Sequence, residues 1–277
     1  MFSHSSHDPH HVDAASAAPR SRIERFSVDH ELRERLRPLA RFLFHRWWRV
    51  AVRGLANVPR RGPAILVGNH SGAIPVDALM LAYALDHDHD HSPRRVARVL
   101  YDRFIDGIPA LAELYKRCGG VPARYATADA LLGRGEVVVI FPEGVGGVAK
   151  LFDERYQLQR FSTSAARLAW KHRAPVIPFA VIGAEEAYPV IGRSEEAGAR
   201  LGAPYLPITP FFPLLGPVGV MPLPSKWTIA FGAPIRLHRE KRFVARQDYE
   251  AMTERLRRSV GALIERALCE RESVFLG

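Results

Sequence analysis

Short apolar runs that alternate with helical patterns constrain the fold of this chain more than any other feature. Runs rich in β-branched or aromatic residues, several of them apolar enough for burial on both faces, predict strands at 64–69, 95–101, 136–141, 175–183 and 227–232. Helical patterns lie between and after them, at 75–85, 108–118, 126–134, 162–172 and about 248–271. Because strands that alternate with helices usually pair in parallel, we expect an α/β fold with a mainly parallel sheet flanked by helices.

One domain accounts for most of the chain. A length of 277 residues, 47% of them hydrophobic, suffices for one large core. Residues 1–25 are rich in His, Ser and Ala and lack the apolar stretch of a secretory signal, so we predict a disordered tail before a domain over 26–277. The histidines of this tail, and the alternating Asp and His of 86–91, are interpreted first as solvated side chains and only second as metal ligands.

The net charge indicates the kind of binding partner, and the cysteines indicate the redox state of the compartment. The formal net charge is +10, from 39 Lys and Arg against 29 Asp and Glu, and such a surface attracts polyanions or anionic lipid headgroups. Cys118 and Cys269 lie far apart and lack metal-ligand spacing, which argues against a disulfide framework and a zinc site. We therefore expect a reducing compartment and no bound metal.

The pattern of apolar and basic residues over 30–53 predicts an amphipathic helix at a membrane surface. Leu39, Phe42 and Trp47 share one helical face, arginines flank it, and Trp48 is expected at the interface. The alternative is a helix packed on the protein's own core. No apolar run approaches the ~20 residues that cross a bilayer, so we predict a peripheral or monotopic protein on the cytoplasmic face of the membrane.

Residues 204–225 form a second apolar stretch, which is interrupted by prolines. Neither a helix nor a central strand can run through it, so we expect an irregular loop. Such a loop dips into lipid, caps a hydrophobic tunnel or covers the edge of the sheet.

The motif LVGNHSGAIPVDAL, residues 66–79, suggests chemistry. His70 follows the carboxyl end of a predicted buried strand, where open α/β sheets gather ligands, and Asp77 falls in the first turn of a helix that begins near Pro75. Taken singly, these are explained more simply as a loop histidine and a carboxylate at a positive helix end. As a pair they indicate more, because a carboxylate that binds one imidazole nitrogen leaves the other to act as a base.

A second motif, VVVIFPEGVGGVAK, ends another strand at the same edge. Glu143 precedes a glycine-rich turn that brings backbone donors close to an oxygen-rich ligand, or it only holds a loop; Lys150 contacts substrate or is a solvated surface charge. The chain contains no G-x-S-x-G elbow, no H-E-x-x-H and no correctly spaced phosphate loop. The active sites that those motifs mark are therefore excluded.

Four ordered blocks resemble the lysophospholipid and glycerolipid acyltransferase superfamily. They are Asn69, His70 and Asp77 followed by ALML, GGVPAR at 119–124, FPEG at 141–144, and APVIPFAVIGAEEAYP at 174–189. The resemblance implies transfer of a fatty acyl group from a thioester, on coenzyme A or acyl carrier protein, to a hydroxyl of a lipid acceptor at a membrane surface. Six residues separate His70 from Asp77, rather than the commoner four, and this spacing resembles members that acylate diacylglycerol or other neutral alcohols.

The resemblance also implies roles for individual residues. His70 would be the general base that deprotonates the acceptor hydroxyl, and Asp77 would orient it. Arg124 and Glu143 would line the acceptor site, which Gly144 would shape. Pro178 belongs to the fourth block. The other residues that we expect to contact substrate are Asn69, Ser71, Gly72 and Lys150, with backbone donors for the oxyanion near Ser71 and Gly72.

The sequence leaves two choices of lipid acceptor and two alternative functions. No cofactor is expected, since acyl-CoA or acyl carrier protein enters as a co-substrate. Arg124 favours an acceptor with a phosphate, whereas the six-residue spacing favours an uncharged alcohol, which we prefer. The alternatives are a non-catalytic lipid-binding protein and a nucleic-acid-binding protein. We predict no nucleic-acid partner, because aromatic residues among basic ones cluster only in the 30–53 segment.

Overall fold

The computed structural model describes residues 27–71, 76–87, 95–200, 202–239 and 244–275, so the predicted 1–25 tail, Gly72 and residues 88–91 lie outside it. Its helices are α1 (His30–Phe42), α2 (Val76–His87), α3 (Pro109–Arg117), α4 (Tyr125–Gly133), α5 (Val145–Val148), α6 (Ser164–His172), α7 (Ala184–Ala187), α8 (Glu195–Arg200) and α9 (Arg246–Cys269). Its strands are β1 (Ala51–Arg53), β2 (Ala64–Gly68), β3 (Ala97–Tyr101), β4 (Val121–Pro122), β5 (Val137–Ile140), β6 (Val176–Ile182), β7 (Gly192–Ser194), β8 (Leu206–Ile208) and β9 (Thr228–Phe231).

Seven of the strands form one sheet in the order β1-β9-β6-β2-β5-β3-β4. The strands from β6 to β4 in this order are parallel, β9 is antiparallel to β6, and β1 is parallel to β9. β7 and β8 pair separately as an antiparallel hairpin. The five predicted strands and five predicted helices are all present, and the predicted mainly parallel α/β fold is confirmed.

Helices cover both faces of the sheet, and β2 shows how the core divides. Leu66 belongs to an apolar cluster that includes Met80 and Leu81 of α2. Its neighbours Ile65 and Val67 belong to the cluster on the other face, against α4, α6 and α9. Since the residues of β2 are buried on both faces, ligands must bind at the ends of such central strands.

The N-terminal segment differs from the predicted 30–53 helix. α1 ends at Phe42, a π-helical turn continues to Trp47, and β1 then joins the sheet. Trp48, predicted at the membrane interface, is 1% exposed and stacks on Trp227 with ring centroids 4.5 Å apart. That prediction is wrong because the chain turns at Arg49, where φ is 44°, and carries the segment into the sheet.

The proline-rich segment packs beside this N-terminal segment. The indole N–H of Trp47 donates to the carbonyl oxygen of Pro222, and that of Trp48 donates to the carbonyl oxygen of Leu223, both at 3.1 Å. Leu214 of the same segment is 83% exposed. No helix within the described ranges has both the length and the apolar character needed to cross a membrane.

Candidate active site

His70 and Glu143 lie at the same edge of the sheet. β2 and β5 are adjacent and parallel, with Val67 opposite Ile140, so the residues that follow each strand leave the sheet side by side. The two sequence motifs therefore meet in space, at the carboxyl ends of neighbouring strands.

A hydrogen bond joins the His70 ring to Asp77. His70 Nδ1 lies 2.8 Å from Asp77 Oδ2, which also accepts the backbone N–H of Ser71 at 3.0 Å. Asp77 Oδ1 accepts the backbone N–H of Ala78 at 2.8 Å, and the carboxylate is fully buried. A carboxylate at Nδ1 favours the tautomer that carries its proton there, which leaves Nε2 as the acceptor. The six-residue spacing therefore permits the contact.

Two residues that the sequence analysis did not place in the site hold the imidazole ring. Phe141 stacks on it, with ring centroids 4.1 Å apart and planes 19° apart. Gly147 lies against its stem: a Cβ atom there would come within 3.0 Å of His70 Cβ and 2.9 Å of Glu143 Cβ. The only sequence indication of this packing is the glycine pair after FPEG.

Glu143 fixes the backbone of this edge. Its Oε1 accepts the backbone N–H of His70 at 3.0 Å, and its Oε2 accepts that of Gln159 at 2.8 Å. The side chain is inaccessible to solvent. Since both oxygens are engaged, the carboxylate positions His70, and its predicted contact with the acceptor stays a prediction.

Lys150 is buried rather than solvated. Its Nζ lies 2.8 Å from Glu185 Oε1 and 3.8 Å from Glu143 Oε2, and its side chain is 3% exposed. Burial raises the pKa of Glu185, and the charge of Lys150 opposes that rise. The interpretation of Lys150 as a surface charge is wrong, because two buried carboxylates need its cation. Its substrate contact stays a prediction.

The remaining predicted residues around His70 anchor the loop. The side-chain amide of Asn69 donates to the carbonyl oxygen of Val181 at 2.9 Å and accepts its N–H at 2.8 Å, which ties the loop to β6. Pro178 lies in the same strand, opposite Val67. Gly144 has φ 59° and ψ −143°, a backbone conformation that residues other than glycine rarely adopt.

Three cavities share wall residues, and His70 lines the smallest of them. A cavity of about 60 Å³ is lined by His70, Tyr101, Tyr115 and Phe141. An apolar pocket of about 230 Å³ lies between α1, α2 and α3 and shares Tyr115 with that cavity. A cleft of about 1090 Å³ shares Phe141 with it and is lined by Arg124. The cavity at His70 therefore adjoins both an apolar pocket and a cleft that carries arginine side chains.

The two tyrosines of the small cavity are neutral at physiological pH. Burial raises the pKa of Tyr115 well above its ordinary value. Burial also raises the pKa of Tyr101, and the carboxylate of Asp106, which accepts a hydrogen bond from its hydroxyl at 3.2 Å, adds to the rise.

Within the described residues, no group of three or more His, Cys, Asp or Glu is arranged to hold a metal ion.

Known proteins share both the sequence and this architecture. A model of the family described as "Acyltransferase" matches residues 49–182, which include His70, Asp77, Arg124 and Glu143. An uncharacterized protein of Mycobacterium tuberculosis is 38% identical over 268 residues, covering 92% of this chain and 72% of that protein. The chain belongs to the acyltransferase family. Membership favours the enzyme over the lipid-binding and nucleic-acid-binding alternatives.

Other relatives of this acyltransferase have more specific names. A Bos taurus protein named "DGAT1/2-independent enzyme synthesizing storage lipids" is 27% identical over 147 residues, 53% of this chain and 42% of that protein. The crystal structure of the 1-acyl-sn-glycerophosphate (LPA) acyltransferase PlsC from Thermotoga maritima superimposes with a TM-score of 0.55 at 17% identity, over 91% of this chain and 88% of that one. The acyltransferase described here therefore has the fold of PlsC.

Proposed function

We propose that this acyltransferase moves a fatty acyl group from an acyl thioester to a hydroxyl of a lipid acceptor, with His70 as general base. The His70–Asp77 hydrogen bond carries the proposal, because the cavity that His70 lines shares wall residues with the apolar pocket and with the large cleft. An apolar pocket suits a fatty chain, and a base in the adjoining cavity can take the proton of a hydroxyl that approaches the acyl carbonyl.

The reaction needs no covalent enzyme intermediate, because a thioester is already activated. The acceptor oxygen attacks the carbonyl carbon while His70 Nε2 takes the hydroxyl proton. The tetrahedral intermediate then expels the thiolate, which takes the proton back from the imidazolium, and an ester and a free thiol leave. Asp77 stabilises the imidazolium, and general-base catalysis supplies about 10²- to 10⁴-fold of the rate. The backbone N–H of Ser71 donates to Asp77, so it does not serve as the predicted oxyanion donor.

We favour an uncharged alcohol, such as a mono- or diacylglycerol, as the acceptor. The spacing between His70 and Asp77 supports this choice, as does the storage-lipid name of the bovine relative. A competition assay that offers a monoacylglycerol and a lysophosphatidate together tests it. Exclusive use of the lysophosphatidate would reverse the choice.

We also propose that the enzyme acts at the cytoplasmic face of a membrane, which it contacts through two adjacent segments. Leu39 and Phe42 of α1 are 57% and 49% exposed, and Leu214 and Leu215 of the proline-rich segment are 83% and 53% exposed. Exposed apolar side chains next to arginines suit anionic lipid headgroups. The hydrogen bond from Trp47 to the proline-rich segment holds the two segments together.

Turnover of a radiolabelled acyl thioester tests the base. His70→Ala should abolish transfer to every acceptor while the protein stays folded. His172→Ala is the matched control, because His172 also pairs with a carboxylate, Asp129, at 2.7 Å but lies on α6 away from the site. Near-normal transfer by His70→Ala would refute the proposed base.

Sedimentation with liposomes that contain anionic lipid tests the membrane contact. A smaller fraction of a Leu214→Ser, Leu215→Ser double variant than of the wild type should sediment with the liposomes, because two exposed apolar anchors are lost. Ile108→Ser serves as control, since Ile108 is exposed but lies outside both segments. Equal sedimentation of the double variant and the wild type would exclude this surface.

A further inference from the structure

A network of buried charges extends from Glu143 to the segment that follows α9. The Nζ of Lys150 lies between the carboxylates of Glu143 and Glu185. Glu186, the next residue of α7, pairs with Arg271, whose Nη1 lies 2.6 Å from Glu186 Oε1. None of the five side chains is more than 8% exposed. Burial of so many charges costs solvation energy, and the proposed acyl transfer uses none of them directly, so the network calls for another explanation.

Tyr156 joins the two halves of this network. Its backbone N–H donates to Glu185 Oε2 at 2.6 Å, and its hydroxyl donates to the carboxylate of Glu186. The same hydroxyl accepts the backbone N–H of Gly183, just after β6, at 2.9 Å. Burial and the carboxylate of Glu186 raise the pKa of Tyr156 well above its ordinary value, so the phenol keeps the proton that it donates. Three partners therefore fix one tyrosine.

Tyr156 also has a backbone conformation that is rare for a residue with a side chain. Its φ is 64°, in the left-handed region, where the side chain crowds the backbone. A residue keeps such a conformation only when its surroundings stabilise it, and residues of this kind cluster at functional sites. Here the hydrogen bonds to Glu185, Glu186 and Gly183 supply the stabilisation.

The left-handed turn at Tyr156 directs the chain toward the candidate active site. Three residues later, the backbone N–H of Gln159 donates to Glu143 Oε2 at 2.8 Å. The other oxygen of Glu143 accepts the backbone N–H of His70. The side chain of Gln159 is exposed, so the direction that the chain takes at Tyr156 determines where this N–H points.

We propose that Tyr156 is a positioning residue for the base His70. Held by two buried carboxylates, it directs the chain so that the N–H of Gln159 meets Glu143, and Glu143 in turn holds the N–H of His70. Tyr156 is not among the described residues that line the cavity at His70, so it acts on the reaction through these contacts. This assignment rests on the proposed acyl transfer and adds a residue outside the substrate cavities.

Amide hydrogen exchange, measured by NMR, tests the proposal without any turnover. Tyr156→Phe keeps the ring but removes the hydroxyl, so Glu186 and the N–H of Gly183 lose a partner. We expect exchange at the His70 and Gln159 amides to become about tenfold faster or more, while amides within β2 and β5 keep their wild-type rates. Unchanged exchange at His70 would overturn the assignment. Faster exchange across the whole sheet would also overturn it, because the network would then only stabilise the fold.

A matched control and a second position in the network separate the two roles further. Tyr83→Phe should leave both amides unchanged, because Tyr83 is a buried tyrosine of α2 that packs on Phe44. Arg271→Gln removes the cation opposite Glu186, so it should speed exchange at the same two amides. Arg271→Lys keeps the charge and should restore part of the protection. If Tyr156→Phe does not fold, the Arg271 variants decide, and equal exchange in both would overturn the proposal.

Steady-state kinetics then connect the position of the base to catalysis. At a temperature where the variant stays folded, Tyr156→Phe should lower kcat about tenfold and leave the KM of both substrates within about twofold of the wild type. A raised KM with unchanged kcat would overturn the positioning role. A wild type that transfers no acyl group would refute the proposed function. Faster exchange at His70 and Gln159 in Tyr156→Phe would even then support the contact of Tyr156 with this edge of the sheet.

Discussion

Glu143 accepts a hydrogen bond from the backbone N–H of His70 at 3.0 Å, although 73 residues separate them in the chain. Its other oxygen accepts the backbone N–H of Gln159, so this carboxylate fixes the position of the His70 backbone relative to the sheet. Glu143→Gln replaces one acceptor oxygen with a donor, so one buried N–H loses its partner. We expect the free energy of unfolding to fall by about 1.5–3 kcal/mol and kcat to fall more than KM rises. Urea unfolding and steady-state kinetics measure both, and a pure KM effect would instead indicate direct acceptor binding.

Gly147 leaves no room for a side chain beside His70. In Gly147→Ala the new methyl group would lie 3.0 Å from His70 Cβ and 2.9 Å from Glu143 Cβ, so at least one of these stems must shift. We expect about 1–3 kcal/mol of destabilisation from overpacking. A small displacement of the base should also lower kcat by about 10- to 100-fold.

Gly146→Ala provides the matched control for that substitution. Its Cβ would meet nothing closer than Gln159 Cγ at 3.8 Å, an ordinary contact. The Gly146 variant should therefore keep most of its activity. Equal losses in the two variants would mean that the helix, rather than the contact with His70, requires glycine.

Asp77 should orient His70 rather than bind substrate. Asp77→Asn keeps the shape of the side chain but removes the charge that stabilises the imidazolium and can reverse the tautomer. We expect kcat to fall by about 10²- to 10⁴-fold while KM changes little. Asp129→Asn, which alters the His172 pair outside the site, should leave kcat unchanged.

Lys150 should contribute to stability rather than to substrate affinity. Lys150→Met leaves the buried carboxylates of Glu185 and Glu143 without their cation, and breaking such a buried pair costs about 3–5 kcal/mol. Lys171→Met is the control, because Lys171 pairs with Asp129 at the exposed surface.

The effect of Lys150→Met should also depend on pH. Burial raises the pKa of Glu185, and the loss of Lys150 removes the charge that opposes this rise. Between the unfolded and folded pKa values the folded state then binds more protons than the unfolded state, so stability falls as the pH increases. Denaturation near pH 5 should show a smaller deficit against the wild type than denaturation near pH 8. A pH-independent deficit would contradict this explanation.

Ala82 lines the apolar pocket between α1, α2 and α3, which holds about 230 Å³. Ala82→Phe should fill part of that volume and shorten the longest acyl chain that fits. We expect kcat/KM to fall for long-chain donors and to stay nearly constant for short-chain donors. Ala251→Phe, on the exposed side of α9, is the control. A uniform loss with all donors would show that the pocket does not hold the chain.

The sequence predicts those parts of this molecule that depend on local pattern. The central strands are continuous apolar runs because helices cover both faces, and β2, β3, β5, β6 and β9 were all identifiable. β1 and β4 span three and two residues, too few to show any periodicity. Trp48 was misplaced because a tryptophan among arginines has the same local pattern whether it faces lipid or stacks on Trp227.

The candidate site was only partly predictable for a related reason. His70 and Asp77 share one short motif, so their contact follows from a single strand-to-helix turn. The main partner of Glu143 is a backbone N–H, which every residue except proline possesses and which leaves no trace in the sequence. Arg160, Arg167 and Arg246 line the large cleft together only through the packing of α6 and α9, so nothing local distinguishes them from other surface arginines.

The indole hydrogen bonds from Trp47 and Trp48 to the proline-rich segment have a consequence for affinity. They join two exposed apolar segments 175 residues apart in the chain, and the stack of Trp48 on Trp227 fixes that joint to the sheet. Folding has therefore already removed most of the conformational freedom that two independent anchors would lose on docking. We expect the two segments to bind a surface as one preorganised unit. Once the first segment is bound, the second is already held next to the surface, so the affinity of the pair should greatly exceed that of either segment alone.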